Sequence, residues 1–190
     1  MAQHALILID LQQDYFPGGR FPLVDVEAAA GQAASLLDAA RRSGTPVIHV
    51  RHEFPGEDAP FFVRGTPGVA IHPLVAPQGV EPVITKAFPN AFRDTDLQTL
   101  IDDLGVEAVV LAGAMAHICV DSTARAAADL GLSVTVIHDA VATRDLSFGD
   151  VEVPARQVHA AFLAALGFGI AAVQSAQEYR ESLSVAASEG

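Results

Sequence analysis

Asp10, Lys86 and Cys119 are the residues of this chain whose types combine into covalent chemistry. A thiol is a strong nucleophile only as the thiolate, and a nearby ammonium or a helix N-terminus favours that form. A carboxylate within reach can take the thiol proton and later return it to a leaving amine. The ammonium then holds the charged pair together and orients the carboxylate. Each residue alone has an ordinary role: cysteine as a small buried hydrophobe, aspartate as a cap or turn residue, lysine as a solvated charge. Position sets them apart, because each follows a segment that reads as a β-strand.

Residues 5–9 are a continuous run of strand-forming apolar side chains, as in a strand covered on both faces. Residues 46–50, 82–85, 108–112, 132–137 and 170–173 read as five more strands. Helical spacing marks 26–43, 97–104, 117–130 and 153–166, with Gly44, Gly105, Gly131 and Gly167 as stop signals. The tail beyond Tyr179 reads as frayed, and the stretch from His52 to Gly79 as irregular. Alternating strands and helices imply an α/β fold: a doubly wound, mostly parallel six-stranded sheet with helices on both faces. Such sheets bind ligands beyond the carboxyl ends of their strands, where strand order reverses. Asp10, Lys86 and Cys119 are expected at that edge, Cys119 opening a helix.

At 190 residues the chain fits one domain, with an ordered core expected over about residues 4–180. It is 51% hydrophobic and 18% charged, which argues against disorder. The formal charge of −12 repels phosphate backbones and anionic headgroups, so neither nucleic acid nor a membrane is an expected partner. The first apolar run is too short for a signal-peptide core or a membrane span. A lone cysteine suits a reducing compartment, so a cytoplasmic location is expected.

Three segments carry a family resemblance. They are Leu8-Ile-Asp10-Leu-Gln-Gln-Asp14-Tyr15-Phe16-Pro17; Pro82-Val-Ile-Thr-Lys86 with Pro89-Asn-Ala-Phe92 and Thr95-Asp-Leu97; and Gly113-Ala-Met-Ala-His-Ile-Cys119-Val120 running into Thr123-Ala-Arg-Ala-Ala127. In order and spacing the chain resembles the isochorismatase-like cysteine hydrolases, which include nicotinamidases, carbamoylsarcosine amidohydrolases and ureidoacrylate hydrolases. The resemblance implies cleavage of a C–N bond in a small amide, ureido or carbamoyl substrate through a thioester. Cys119 would be the nucleophile, Asp10 the general acid/base and Lys86 the orienting cation. It also implies a cis peptide between Ala114 and Met115, with the Met115 and Cys119 N–H groups as an oxyanion hole. Isochorismatases proper lack the cysteine, so Cys119 argues against that activity. A homo-oligomer, dimer or tetramer, is implied, with no cofactor.

Tyr15, Phe61, Phe92, His117 and Ile118 are the candidate substrate-binding residues. Tyr15 and Phe92 either sandwich a planar substrate or belong to the core. His117 either meets substrate or caps the helix opened by Cys119, and the second is favoured. The loop 52–79 is a lid, an oligomer contact or a locally packed segment, with Phe61, Phe62 and Arg64 inside it. Arg144 either meets a substrate carboxylate or is a surface turn charge, and the latter is favoured. Nicotinamidases carry a metal after the second strand. Here His52 stands where their ligating Asp would be, and Phe54, which cannot coordinate, replaces a His. His49 and His52, three apart on a strand, point to opposite faces. No metal site is expected. Two other readings are a flavodoxin-like binding module, which lacks its Gly-rich phosphate loop here, and a redox sensor built on Cys119.

Overall fold

The computed structural model describes residues 3–56 and 58–188. Eight strands run in chain order as β1 His4–Ile9, β2 Val47–His52, β3 Val83–Lys86, β4 Ala108–Ala114, β5 Ser133–Ala142, β6 Leu146–Phe148, β7 Val151–Val153 and β8 Ala172–Gln174. Five α-helices accompany them: α1 Val26–Ser43, α2 Leu97–Asp103, α3 Asp121–Asp129, α4 Ala155–Gly167 and α5 Ala176–Ser188. Six strands form one parallel sheet in the order β3-β2-β1-β4-β5-β8. The fold is the doubly wound α/β sheet expected from the sequence. Its order reverses between β1 and β4, so the crevice of such a fold lies beyond Ile9 and Ala114.

Strand β1 shows why its sequence has no polar face. Leu6 and Leu8 pack into a cluster with Ala29, Ala33 and Leu37 of α1, while Ile7 and Ile9 pack into another with Leu97 and Ile101 of α2 and Ala124 of α3. Both sides of the central strand are covered, so alternation would bury polar groups. Edge strand β3 is different: of its four residues only Lys86 is buried. A lysine as the single buried residue of an edge strand has to be answered by acceptors inside.

Several boundaries differ from the sequence reading. β5 runs on to Ala142, and its end pairs with β4 again past a register shift between Leu111 and Gly113. β6 and β7 form an antiparallel hairpin that the sequence did not announce, because three-residue strands with Phe148 and Val151 exposed lack a period. Val153 belongs to that hairpin, and α4 starts only after Pro154. The tail past Tyr179 is helical rather than frayed. Ser175 and Glu178 form a reciprocal capping box, Ser175 N–H donating to the Glu178 carboxylate and Glu178 N–H to the Ser175 hydroxyl. Asp139 accepts from the Ala176 N–H at 2.7 Å, tying the start of α5 to β5.

Candidate active site

Asp10, Lys86 and Cys119 converge at the carboxyl edge of the sheet. Asp10 leaves β1 in the left-handed region at φ 52°, a conformation aspartate tolerates, and its N–H donates to the Val50 carbonyl. Lys86 ends β3. Cys119 sits in a π-helical turn, Ala116–Val120, that leads into α3 and is closed by Val120 N–H to Met115 O. Such turns shift a side chain relative to a regular helix and recur at functional sites. Gly113 permits the approach of β4 to β1: a Cβ there would lie 2.0 Å from the Ile9 carbonyl oxygen.

The Lys86 ammonium is the centre of the arrangement. It donates to Asp10 Oδ2 at 2.7 Å, to His52 Nδ1 at 3.0 Å and to Cys119 Sγ at 3.3 Å. Asp10 is fully buried, Lys86 2% exposed and Cys119 4% exposed. Burial pushes the Asp10 carboxyl above its ordinary range, although Lys86 opposes that. Burial lowers the Lys86 value too, but the Asp10 charge and its hydrogen bond outweigh it and hold the ammonium. Burial and then the Asp10 charge push the Cys119 thiol up, against the pull of Lys86. The resting sulfur is therefore a thiol, and the expected stabilisation of a thiolate by ammonium and helix start is outweighed. Asp10 Oδ1, without a hydrogen-bond partner, is free to receive a proton.

The Ala114–Met115 peptide is cis, where the resemblance placed it. Met115 lies between β4 and the π-helical turn, and among the described residues its N–H makes no backbone hydrogen bond outside the regular elements.

The candidate substrate residues divide. Tyr15 is buried, 4.4 Å from Phe62 and 5.5 Å from Phe61 between ring centroids, and Phe61 stacks on Phe21 at 4.3 Å. Burial, and after it the Asp10 charge, raises the Tyr15 phenol well above its usual range. Phe92 packs against the cluster that contains Cys119, and Tyr15 belongs to the other cluster. Ile118 is exposed. His117 does not cap the helix; its Nδ1 bonds to the Thr143 hydroxyl at 2.6 Å and its ring meets the edge of Phe162. Arg144 is more than a free turn charge: its guanidinium lies 4.2 Å over the Phe21 ring. Its charge reaches both Tyr15 and His117.

The loop after β2 is folded down by buried polar residues rather than left open. Asp14 accepts from Phe62 N–H at 2.7 Å and from Arg20 N–H at 3.2 Å. Gln12, fully buried, bonds to both backbone groups of His52 and to Val69 O. Arg64 pairs with Glu53. These bonds show that the loop packs on the ends of β1 and β2. A cleft of about 360 Å³ between α1, β5 and α4 is lined by Val24, Ala29, Val141, Thr143, Arg156 and His159, and none of Asp10, Lys86 and Cys119 lines it.

An isochorismatase domain model matches residues 4–175. The chain belongs to the isochorismatase family of hydrolases. The isochorismatase family protein YddQ of Bacillus subtilis is 44% identical over 175 residues, spanning 92% of this chain and 97% of that protein. An isochorismatase hydrolase from Oleispira antarctica of solved structure superposes with a TM-score of 0.91 at 52% identity, over 94% of this chain and 96% of that one. Maleamate amidohydrolase of Pseudomonas putida is 36% identical over 154 residues, covering 74% of this chain and 72% of the relative. The family match sets aside the flavodoxin-like reading.

The residues here do not fit the metal that the resemblance to nicotinamidases raises. Ligand atoms of Asp10, His52 and Cys119 lie within 4.8 Å of one another. The Lys86 ammonium already donates to an atom of each, so a cation would have to displace a buried charge. Phe54, its ring 4.2 Å from that of His52, adds no ligand. His49 turns the other way and bonds to Glu81 at 2.9 Å, as the strand spacing required. The sequence reading weighed His52 only as a metal ligand and missed its bond to Lys86. It also missed Gln12 and Asp14, whose partners lie 40 to 57 residues away.

Proposed function

We propose that this isochorismatase-family hydrolase cleaves the C–N bond of a small amide, ureido or carbamoyl substrate through a Cys119 thioester. The observation that carries the reading is the Lys86 ammonium bridging a buried carboxylate and a buried thiol. As Cys119 sulfur attacks the carbonyl carbon, its proton passes to Asp10. The carbonyl oxygen gains negative charge and is held by the Met115 and Cys119 N–H groups. Asp10 then protonates the leaving nitrogen, the C–N bond breaks, and ammonia or an amine departs. Water attacks the thioester with its proton taken by Asp10, the acid is released, and sulfur recovers the proton. Lys86 stays an ammonium throughout and keeps Asp10 aligned with sulfur. Exclusion of bulk water strengthens each of these interactions.

Tyr15 and Phe61 form the apolar wall of the substrate site in this reading, with His117 and Ile118 on the side of the nucleophile turn and Phe92 against the cluster that contains Cys119. Arg144, part-buried and in no ion pair among the described residues, suits a substrate with an anionic end. Maleamate, for which one relative is named, is an amide of that kind. A cytoplasmic homo-oligomer, dimer or tetramer, completes the proposal; no helix among the described residues is long and apolar enough to cross a membrane. A redox-sensing role is poorly served by a thiol that is buried and held protonated.

The test is a screen for ammonia release over small amides, ureido acids and carbamoyl compounds, with Cys119→Ala as control. Turnover that vanishes in the variant, and after iodoacetamide labels Cys119, supports the reading. Full turnover by the alkylated protein would end it.

A further inference from the structure

We propose that His52 is a positioning residue of this centre: a neutral ring whose Nδ1 lone pair takes the third hydrogen of the Lys86 ammonium and fixes it between Asp10 and Cys119. The inference rests on the assignment of those three residues as the reacting set.

An ammonium has three hydrogens and no lone pair, so every close polar neighbour must accept from it. Around Lys86 Nζ there are three such neighbours, and His52 Nδ1 at 3.0 Å is one of them. Its proton must then be on Nε2, which is buried and has no protein partner. A cationic ring would put two positive charges at hydrogen-bond distance. Burial, and after it the Lys86 charge, lowers the His52 value to about 3, so the neutral form persists at any working pH.

The ring is also held in place. Gln12 grips the His52 backbone on both sides, and Phe54 and Phe62 pack at 4.2 and 6.2 Å from the imidazole. Lys86 is at the end of an edge strand and has a long, flexible stem, so without a third acceptor its head could rotate away from sulfur. The titratable groups that face Lys86 are Asp10, Cys119 and His52, and the Asp10 charge also acts on the Tyr15 phenol.

The test reads the thiol directly, without a substrate, so failure of the amide reading does not touch it. Iodoacetamide labelling of Cys119 is followed by mass spectrometry from pH 6 to pH 10 (~4 units, spanning the ordinary thiol range) in the wild type, His52→Phe and His52→Asn. Phenylalanine keeps the volume and removes the acceptor; asparagine supplies an oxygen near the place of Nδ1. Loss of one bond to a charged group is expected to slow labelling about tenfold across this range in His52→Phe. His52→Asn restores most of the rate. An unchanged labelling rate in His52→Phe, or equal impairment of both variants, overturns the proposal. Should His52→Phe not fold, ¹⁵N spectra of the wild-type protein decide. An Nε2–H ring that persists below pH 5 (roughly 1.5 units under the ordinary histidine value) is expected, and an Nδ1–H ring, or one titrating near 6.5, refutes it.

Discussion

Gln12 holds His52 by both of its backbone groups. Its side-chain oxygen accepts from the His52 N–H at 2.8 Å and its amide nitrogen donates to the His52 carbonyl at 2.9 Å. The same nitrogen donates to Val69 O at 3.0 Å, so one buried amide joins the ends of β1 and β2 to the loop above them. Gln12→Leu has similar bulk but leaves those three backbone groups unpaired in the interior. The expected cost is about 3 kcal/mol of stability or more, measured by urea unfolding. A variant within about 1 kcal/mol of wild type would mean that water replaces the amide.

Gly113 and Ile9 set how closely the two central strands meet at the crevice. Gly113 has φ 135°, and an added Cβ would press on the Ile9 carbonyl oxygen and carbon. No flexible side chain is there to yield. Gly113→Ala is therefore expected to lose about 3 kcal/mol or more and to part Asp10 from the nucleophile turn. Thermal melting checks the first effect and residual amide hydrolysis the second. Wild-type melting in this variant would contradict the close approach.

How far the molecule was legible beforehand follows from the range of its interactions. Residues 5–9 announce a strand covered on two faces because every side chain is apolar; Asp10 follows β1, Lys86 ends β3, and Cys119 stands in the turn after β4. Topology brings them together without further information. His52 was open to view but its role was not, because nothing local to β2 indicates that a lysine 34 residues away needs an acceptor. The Asp14 bond to Phe62 N–H, 48 residues distant, is equally invisible to local patterning. The hairpin β6–β7 failed for another reason: three residues are too few to display a period. The capping box at Ser175 and Glu178 was readable, and it marks the start of α5.

Arg144 should set substrate charge. Its guanidinium lies on Phe21, whose ring stacks on Phe61 against Tyr15, and it has no acidic partner among the described residues in a chain of formal charge −12. Arg144→Gln is expected to raise KM for a carboxylate-bearing amide by roughly 10- to 100-fold, the worth of a charged hydrogen bond. A neutral amide of the same size should be little affected. Steady-state kinetics on the matched pair checks this, and equal losses on both substrates would remove Arg144 from recognition.

The pH dependence of hydrolysis tests the protonation states directly. The working form needs an Asp10 carboxylate and a Lys86 ammonium together. Burial raises Asp10 above its ordinary 3.8, so activity should fall as pH drops through that raised value. The acid limb of kcat/KM is thus expected above 3.8, which is also above the value of about 3 for His52. Lys86 is raised above 10.5 by the Asp10 carboxylate although burial pulls it down, so loss of the ammonium belongs to pH beyond that value. His117, lowered by burial and then by Arg144, does not share the proton in this scheme, and His117→Gln should leave the acid limb in place. An acid limb at or below 3.8, or one that moves with His117, would place the essential carboxylate elsewhere.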